Sequence, residues 1–157
     1  CMKFFGTMHD LNGGNWRPEL IPDVVFTQHS DSSLGDVLRS SIQGLLDAGV
    51  VVITNAGPRE EDTSICAKQA RAPSFYENVF TVGSIRKIDS FPNSTSTALL
   101  LSTSAGGPVL FSDGRINTAV IKPNVVAPGA EMRSTVFVDG FSIYPEASGT
   151  PISASFM

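Results

Sequence analysis

The stretch DAGVVVITNAGP, residues 47–58, reads in three parts. Asp47-Ala48-Gly49 closes a helix, because glycine at the first position past a helix takes the left-handed conformation without a Cβ penalty. Val50–Thr54 is an unbroken apolar, β-branched run, the pattern of a strand covered on both faces. Asn55-Ala56-Gly57-Pro58 is turn chemistry. Upstream, Leu34, Val37, Leu38, Ser41, Ile42, Leu45 and Leu46 recur at i, i+3, i+4 and i+7, which predicts an amphipathic helix. Ser33, three residues before Asp36, resembles a capping box with the shorter acid. Before it, DVVFTQ (23–28) predicts a buried strand. Strand, helix and strand with tight joints form a βαβ unit, so a right-handed crossover in a mainly parallel sheet is expected.

Outward from this unit the signals are shorter. NVFTVGSI (78–85) predicts a third strand after a polar loop over 58–72. TALLLST (97–103) is ambiguous in type, with an outer strand as one reading. MKFF (2–5) predicts a short strand closed by Gly6, and a loop rich in glycine and proline follows it. The expected fold class is α/β, a mostly parallel sheet with helices on both faces, incomplete at both ends. Residues 1–22 form a loop-rich lead-in and 23–157 the core of one domain. Ligands in such sheets sit beyond the carboxyl ends of the strands, here near 28–31, 54–58 and 148–151.

The 157 residues suffice to bury roughly 70% of the unfolded surface. A net charge of −4 argues against nucleic acid or an anionic membrane surface as partners. No apolar run approaches the length of a membrane span. Cys1 and Cys66 show neither a disulfide framework nor metal spacing. Asn93-Ser94-Thr95 is a single glycosylation acceptor triplet in a polar loop.

Four collinear stretches resemble the subtilisin-like serine proteases, the subtilases. They are DAGVVVITNAGP (47–58), APSFYENVFTVGSI (72–85), DGRINTAVIKPNVVAPGAEMRST (113–135) and SGTPISASFM (148–157), with KPNVVAPG the most specific piece. The resemblance covers 23–157 and, more loosely, 2–6. It implies an α/β fold, an endopeptidase using an Asp-His-Ser triad, and weakly an extracytoplasmic location.

The departures fall on the chemistry. The resemblance puts the nucleophile at Pro151, which has no hydroxyl to form an acyl-enzyme and no backbone N–H for an oxyanion. The Asn that supplies the other oxyanion donor falls on Pro58. For a subtilisin, losing the nucleophile lowers kcat by about 10⁶ and losing one oxyanion donor by about 10²–10³; these magnitudes belong to that relative. The turn residues Gly149 and Thr150 are kept. The substrate-groove edge falls on Gln28-His29-Ser30 and the opposite wall on Thr54-Asn55-Ala56-Gly57, where a peptide could add as a strand. His9-Asp10 sits in a glycine-rich loop without either triad motif and reads as a solvated pair. Ser153 faces roughly 200° away from Pro151, and Ser148 and Thr150 precede the turn with no base in view.

The expectation is therefore a subtilase-type domain segment that is catalytically inactive. The alternatives are a divergent active endopeptidase with missing parts supplied elsewhere, or a non-enzymatic module that binds a peptide or protein segment. The remainder of the domain is expected from a longer chain or from another chain. No cofactor is expected from the residues. The resemblance alone implies calcium, on backbone carbonyls near Pro73–Val79, where no carboxylate cluster has ligand spacing.

Overall fold

A computed structural model describes residues 5–9, 12, 14–28, 37–58, 71–86, 100–107, 109–112, 117–138 and 141–156. In chain order the elements begin with β1 (Val24–Thr27), α1 (Arg39–Asp47), β2 (Val51–Asn55) and β3 (Phe80–Ile85). Then come β4 (Val109–Ser112), β5 (Asn117–Val120), β6 (Val125–Pro128), β7 (Met132–Arg133) and β8 (Val136–Val138). β9 (Phe141–Ile143), β10 (Glu146–Ala147) and α2 (Thr150–Ala154) complete the order.

Four strands make the central parallel sheet, in the order β1-β2-β3-β6. β4 and β5 leave it as an antiparallel hairpin. β7 with β10 and β8 with β9 make two nested antiparallel pairs, one arm that carries the chain from β6 to α2. The polar loop and TALLLST contribute no strand among the described residues. Leu100 makes only an isolated bridge to Ile85, and 102–103 are turn; 97–99 lie outside the described residues.

The predicted helix is α1, and its end follows the sequence reading. Gly49 has φ +81°, its N–H donates to Leu46 O (2.9 Å), and Val50 N–H donates to Leu45 O (3.0 Å). Those two bonds are a Schellman closure, and its apolar partners Leu45 and Val50 both lie in the core. The start is later than the periodicity suggests: Leu38 is the N-cap, and Ser33 and Asp36 lie outside the described residues. Val37, counted in the apolar stripe, is 69% exposed.

The core has two layers because adjacent strand residues point to opposite faces. Val52 joins Ile42, Leu45, Val50, Ala72, Tyr76 and Val79 on the α1 face. Its neighbour Ile53 joins Val82, Ala127 and Ala154 on the α2 face. Each such aliphatic burial contributes about 1.5–3 kcal/mol. Arg39 caps the first layer from outside, its guanidinium 4.8 Å from the Tyr76 ring centre.

Two expectations are corrected. β1 forms where predicted, but Val24 and Phe26 are exposed: among the described residues β1 pairs with β2 alone. Phe5 and Gly6 lie in a helical turn, not at the end of a strand, with Gly6 against Gly44 and Leu45 of α1; residues 2–4 lie outside the described residues.

Candidate active-site region at the carboxyl ends of the strands

The chain leaves β2 along Asn55-Ala56-Gly57-Pro58. Ala56 N–H still donates to Val82 O (2.9 Å), so the backbone clings to β3 for one residue more. Gly57 then turns away with φ +83°, and its carbonyl accepts from Ala105 N–H (3.1 Å). Pro58 is exposed and bridges to Ser104. Thr54, Asn55, Ala56 and Gly57 are all buried. Asn55 O accepts from Ser74 Oγ (2.5 Å), while its Oδ1 is buried without a partner. On the other side, Gln28 follows β1 and is exposed; His29, Ser30 and Asp10 lie outside the described residues. His9 pairs with Trp16 across its own loop, and its Nδ1 is buried without a partner.

The turn into α2 is held from β6. Gly149 N–H donates to Gly129 O (2.7 Å), and Ser148 Oγ accepts from Glu131 N–H (2.8 Å). Gly129 directly follows β6, so α2 starts at the carboxyl end of the sheet. β2 and β6 flank β3, which puts their ends about 10 Å apart at ordinary strand spacing. The segments carrying Pro58 and Pro151 thus share one end of the sheet.

Pro151 is the second residue of α2, since Thr150 opens the helix after the Gly149 cap. Proline is tolerated there because the first turn has no acceptor for that N–H. Thr150 is 3% exposed and Ser153 is fully buried. Ser148 is exposed, with its oxygen engaged by Glu131 N–H.

Ser84, Ser104 and Gly129, which the sequence reading did not single out, lie between the two prolines together with Ser153. Ser104, opposite Pro58, accepts from Ser84 N–H through Oγ (3.1 Å). The Ser84 and Ser153 hydroxyls both face Gly129: a Cβ there would stand 2.2 Å from one and 1.9 Å from the other. Ser84 Oγ is buried without a partner. Only the pairing of β3 with β6 and the seating of α2 bring these groups together. Outside this cluster, Glu131 has φ 56° and pairs with Arg86 at 3.0 Å. Both side chains are about half exposed, so the pair is worth roughly 0.2–1 kcal/mol.

Among the described residues no group of three or more His, Cys, Asp or Glu could hold a metal. In the stretch Pro73–Val79 the Val79 carbonyl receives a lysine ammonium. Lys122 is 2% exposed; its Nζ donates to Val79 O (2.5 Å) and Asn124 Oδ1 (3.0 Å). Burial pushes its amine down to about 8, against the opposing pull of the Glu77 carboxylate, so it is largely charged at neutral pH. A lone lysine in the apolar run TAVIKPNVV was the sequence signal for it.

Comparison with known proteins agrees with this architecture. The subtilase family model matches residues 22–155. The solved structure of sphericase superposes with a TM-score of 0.60 at 18% identity, covering 83% of this chain and 38% of that one. The S41 psychrophilic protease gives 0.59 at 22% identity, with the same coverage of 83% and 38%. The patellamide maturation protease PatG gives 0.54 at 15%, covering 87% of this chain and 34% of its own. The chain therefore spans under two fifths of these relatives' lengths, and at such identities the likeness is one of fold. No curated protein sequence matches. With a family match over nearly its whole length and the corresponding sheet in place, the chain belongs to the subtilase family.

Proposed function

We propose that this subtilase segment has kept the frame of a peptide-hydrolysing site and does not carry out the hydrolysis. The observation that carries the reading is the pair of prolines at the two chemically decisive places. Pro151 lies in the first turn of α2 and offers neither a hydroxyl nor an N–H; Pro58, on the turn after β2, offers no carboxamide. Acyl transfer needs a nucleophile, a base and donors for the developing oxyanion. The neighbouring hydroxyls are poor substitutes. Thr150 and Ser153 are buried, and Ser148 is engaged with Glu131 N–H.

The role left to such a frame is engagement of a peptide or protein segment, including the remainder of the subtilase domain, at the carboxyl end of the sheet, where Gln28 and Pro58 are exposed while Thr54–Gly57 are buried beneath. The test is a fluorophosphonate probe on the folded protein, followed by intact mass. No adduct is expected. An adduct that prior denaturation prevents would mean an activated hydroxyl, and the divergent-protease reading would replace this one.

A further inference from the structure

The subtilase resemblance implies calcium on carbonyls near Pro73–Val79, and the residues of this chain do not fit it. Calcium takes about six to eight oxygens at about 2.3–2.6 Å. Here Val79 O already receives Lys122 Nζ at 2.5 Å, within the shell that a metal would claim. Asn124 Oδ1 receives the same ammonium at 3.0 Å and Thr81 N–H at 2.8 Å. A carboxamide oxygen with two donors on it, one of them cationic, has little left to offer a divalent ion. Asn124 supplies a neutral oxygen where a metal site favours a carboxylate, and the adjacent positive charge repels a second cation.

We infer that Lys122 is the resident cation of this site: its ammonium fills the oxygen cradle of Val79 and Asn124 at the foot of β3 and excludes a divalent metal there.

What the ammonium joins supports this assignment. Val79 directly precedes β3, and Asn124 directly precedes β6. Lys122 reaches Val79 across 43 positions of sequence. With the Asn124–Thr81 bond it ties the starts of two adjacent parallel strands together, a task that a bound ion performs with the same kind of ligands. The side chain is buried, so the tie is shielded from solvent. Nothing in this inference depends on whether the domain hydrolyses peptides.

The experiment is thermal unfolding in EDTA and in millimolar calcium, on the protein and on its Lys122→Ala/Asn124→Asp variant. The variant removes the ammonium, supplies a carboxylate and keeps an acceptor for Thr81 N–H. The native protein is expected to unfold at the same Tm in both solutions, and the variant at a Tm that climbs with calcium concentration. A native Tm that climbs with calcium overturns the inference, as does a folded variant that ignores calcium. Should the variant not fold, amine acylation of the native protein decides. Lys122 is expected to react at least about tenfold more slowly than in a denatured control, and an equal rate overturns the assignment.

Discussion

Replacing Gly129 by alanine puts a methyl group into a space that three atoms already occupy. Its Cβ would stand 1.9 Å from Ser153 Oγ, 2.2 Å from Ser84 Oγ and 2.8 Å from Gly149 O. No strain arises from the backbone itself, because Gly129 is not among the positive-φ residues. The whole effect is therefore steric. Ser84 and Ser153 are both fully buried, one on β3 and the other on α2, so neither hydroxyl has open space to swing into. Gly149 O belongs to a backbone that Gly129 itself holds through a 2.7 Å hydrogen bond, so retreat there breaks the anchor of α2. Overpacking of a filled core costs about 1–3 kcal/mol, and a clash with backbone puts this case at about 3. For a domain of this size that lowers Tm by roughly 6–12 °C. The assay is urea unfolding of Gly129→Ala in the native background and in a Ser84→Ala/Ser153→Ala background, where two of the three clashes are gone. At least about 1 kcal/mol of the loss is expected to return there. Gly129→Ala within about 0.5 kcal/mol of the native protein, or an equal loss in both backgrounds, would refute the reasoning.

Ser84→Ala alone is expected to be neutral or slightly stabilising in the same assay, since Ser84 Oγ is buried without a partner and its removal relieves a desolvated group. The amine of Lys122 lies lower in the folded state, about 8, than its ordinary value of 10.5, because burial disfavours the charge. The unfolded chain thus binds more protons between those values, and the contribution of Lys122 to stability rises with pH from about 8 to 10.5, by at most about 3 kcal/mol. Denaturation midpoints measured across that range, minus those of Lys122→Met, should show the slope; a flat or falling difference contradicts it. Pro151→Ser supplies a hydroxyl at that turn while Pro58 still offers no carboxamide, so on the reading proposed above intact mass should show no fluorophosphonate adduct, and stability should fall by about 0.4–1 kcal/mol in a urea titration. Gly49→Ala, at φ +81°, should cost about 1 kcal/mol by the same titration, and a neutral result would contradict the Schellman closure of α1.

The parts legible from sequence share one property: their information is local. The end of α1 at Gly49, the unbroken strand Val51–Asn55 and the turn at Gly57-Pro58 each rest on residues a few positions apart, whose φ/ψ preferences and side-chain period act within one turn or strand. The family resemblance was of the same kind, carried by short runs in order, and the family match over residues 22–155 agrees with it. Exposure on β1 was not legible, because DVVFTQ states what a strand prefers and not what lies beside it; among the described residues β1 pairs with β2 alone, and Val24 and Phe26 are exposed.

Other features belonged to the tertiary structure alone. The pairing of β3 with β6 joins strands far apart in the chain, and it sets Ala127 beside Val82 and Ala154 on the α2 face. Ser84, Gly129 and Ser153, 45 and 24 positions apart in sequence as Ser84–Gly129 and Gly129–Ser153, meet only when α2 is seated. Nothing local in the sequence says what Lys122 touches; folding gives it Val79 O and Asn124 Oδ1, which offset part of the cost of burying an ammonium. By itself the sequence determined the local elements, because those depend on residue type and on neighbours a few positions away. Which groups came to share a site was decided only in three dimensions, since that depends on contacts between residues dozens of positions apart.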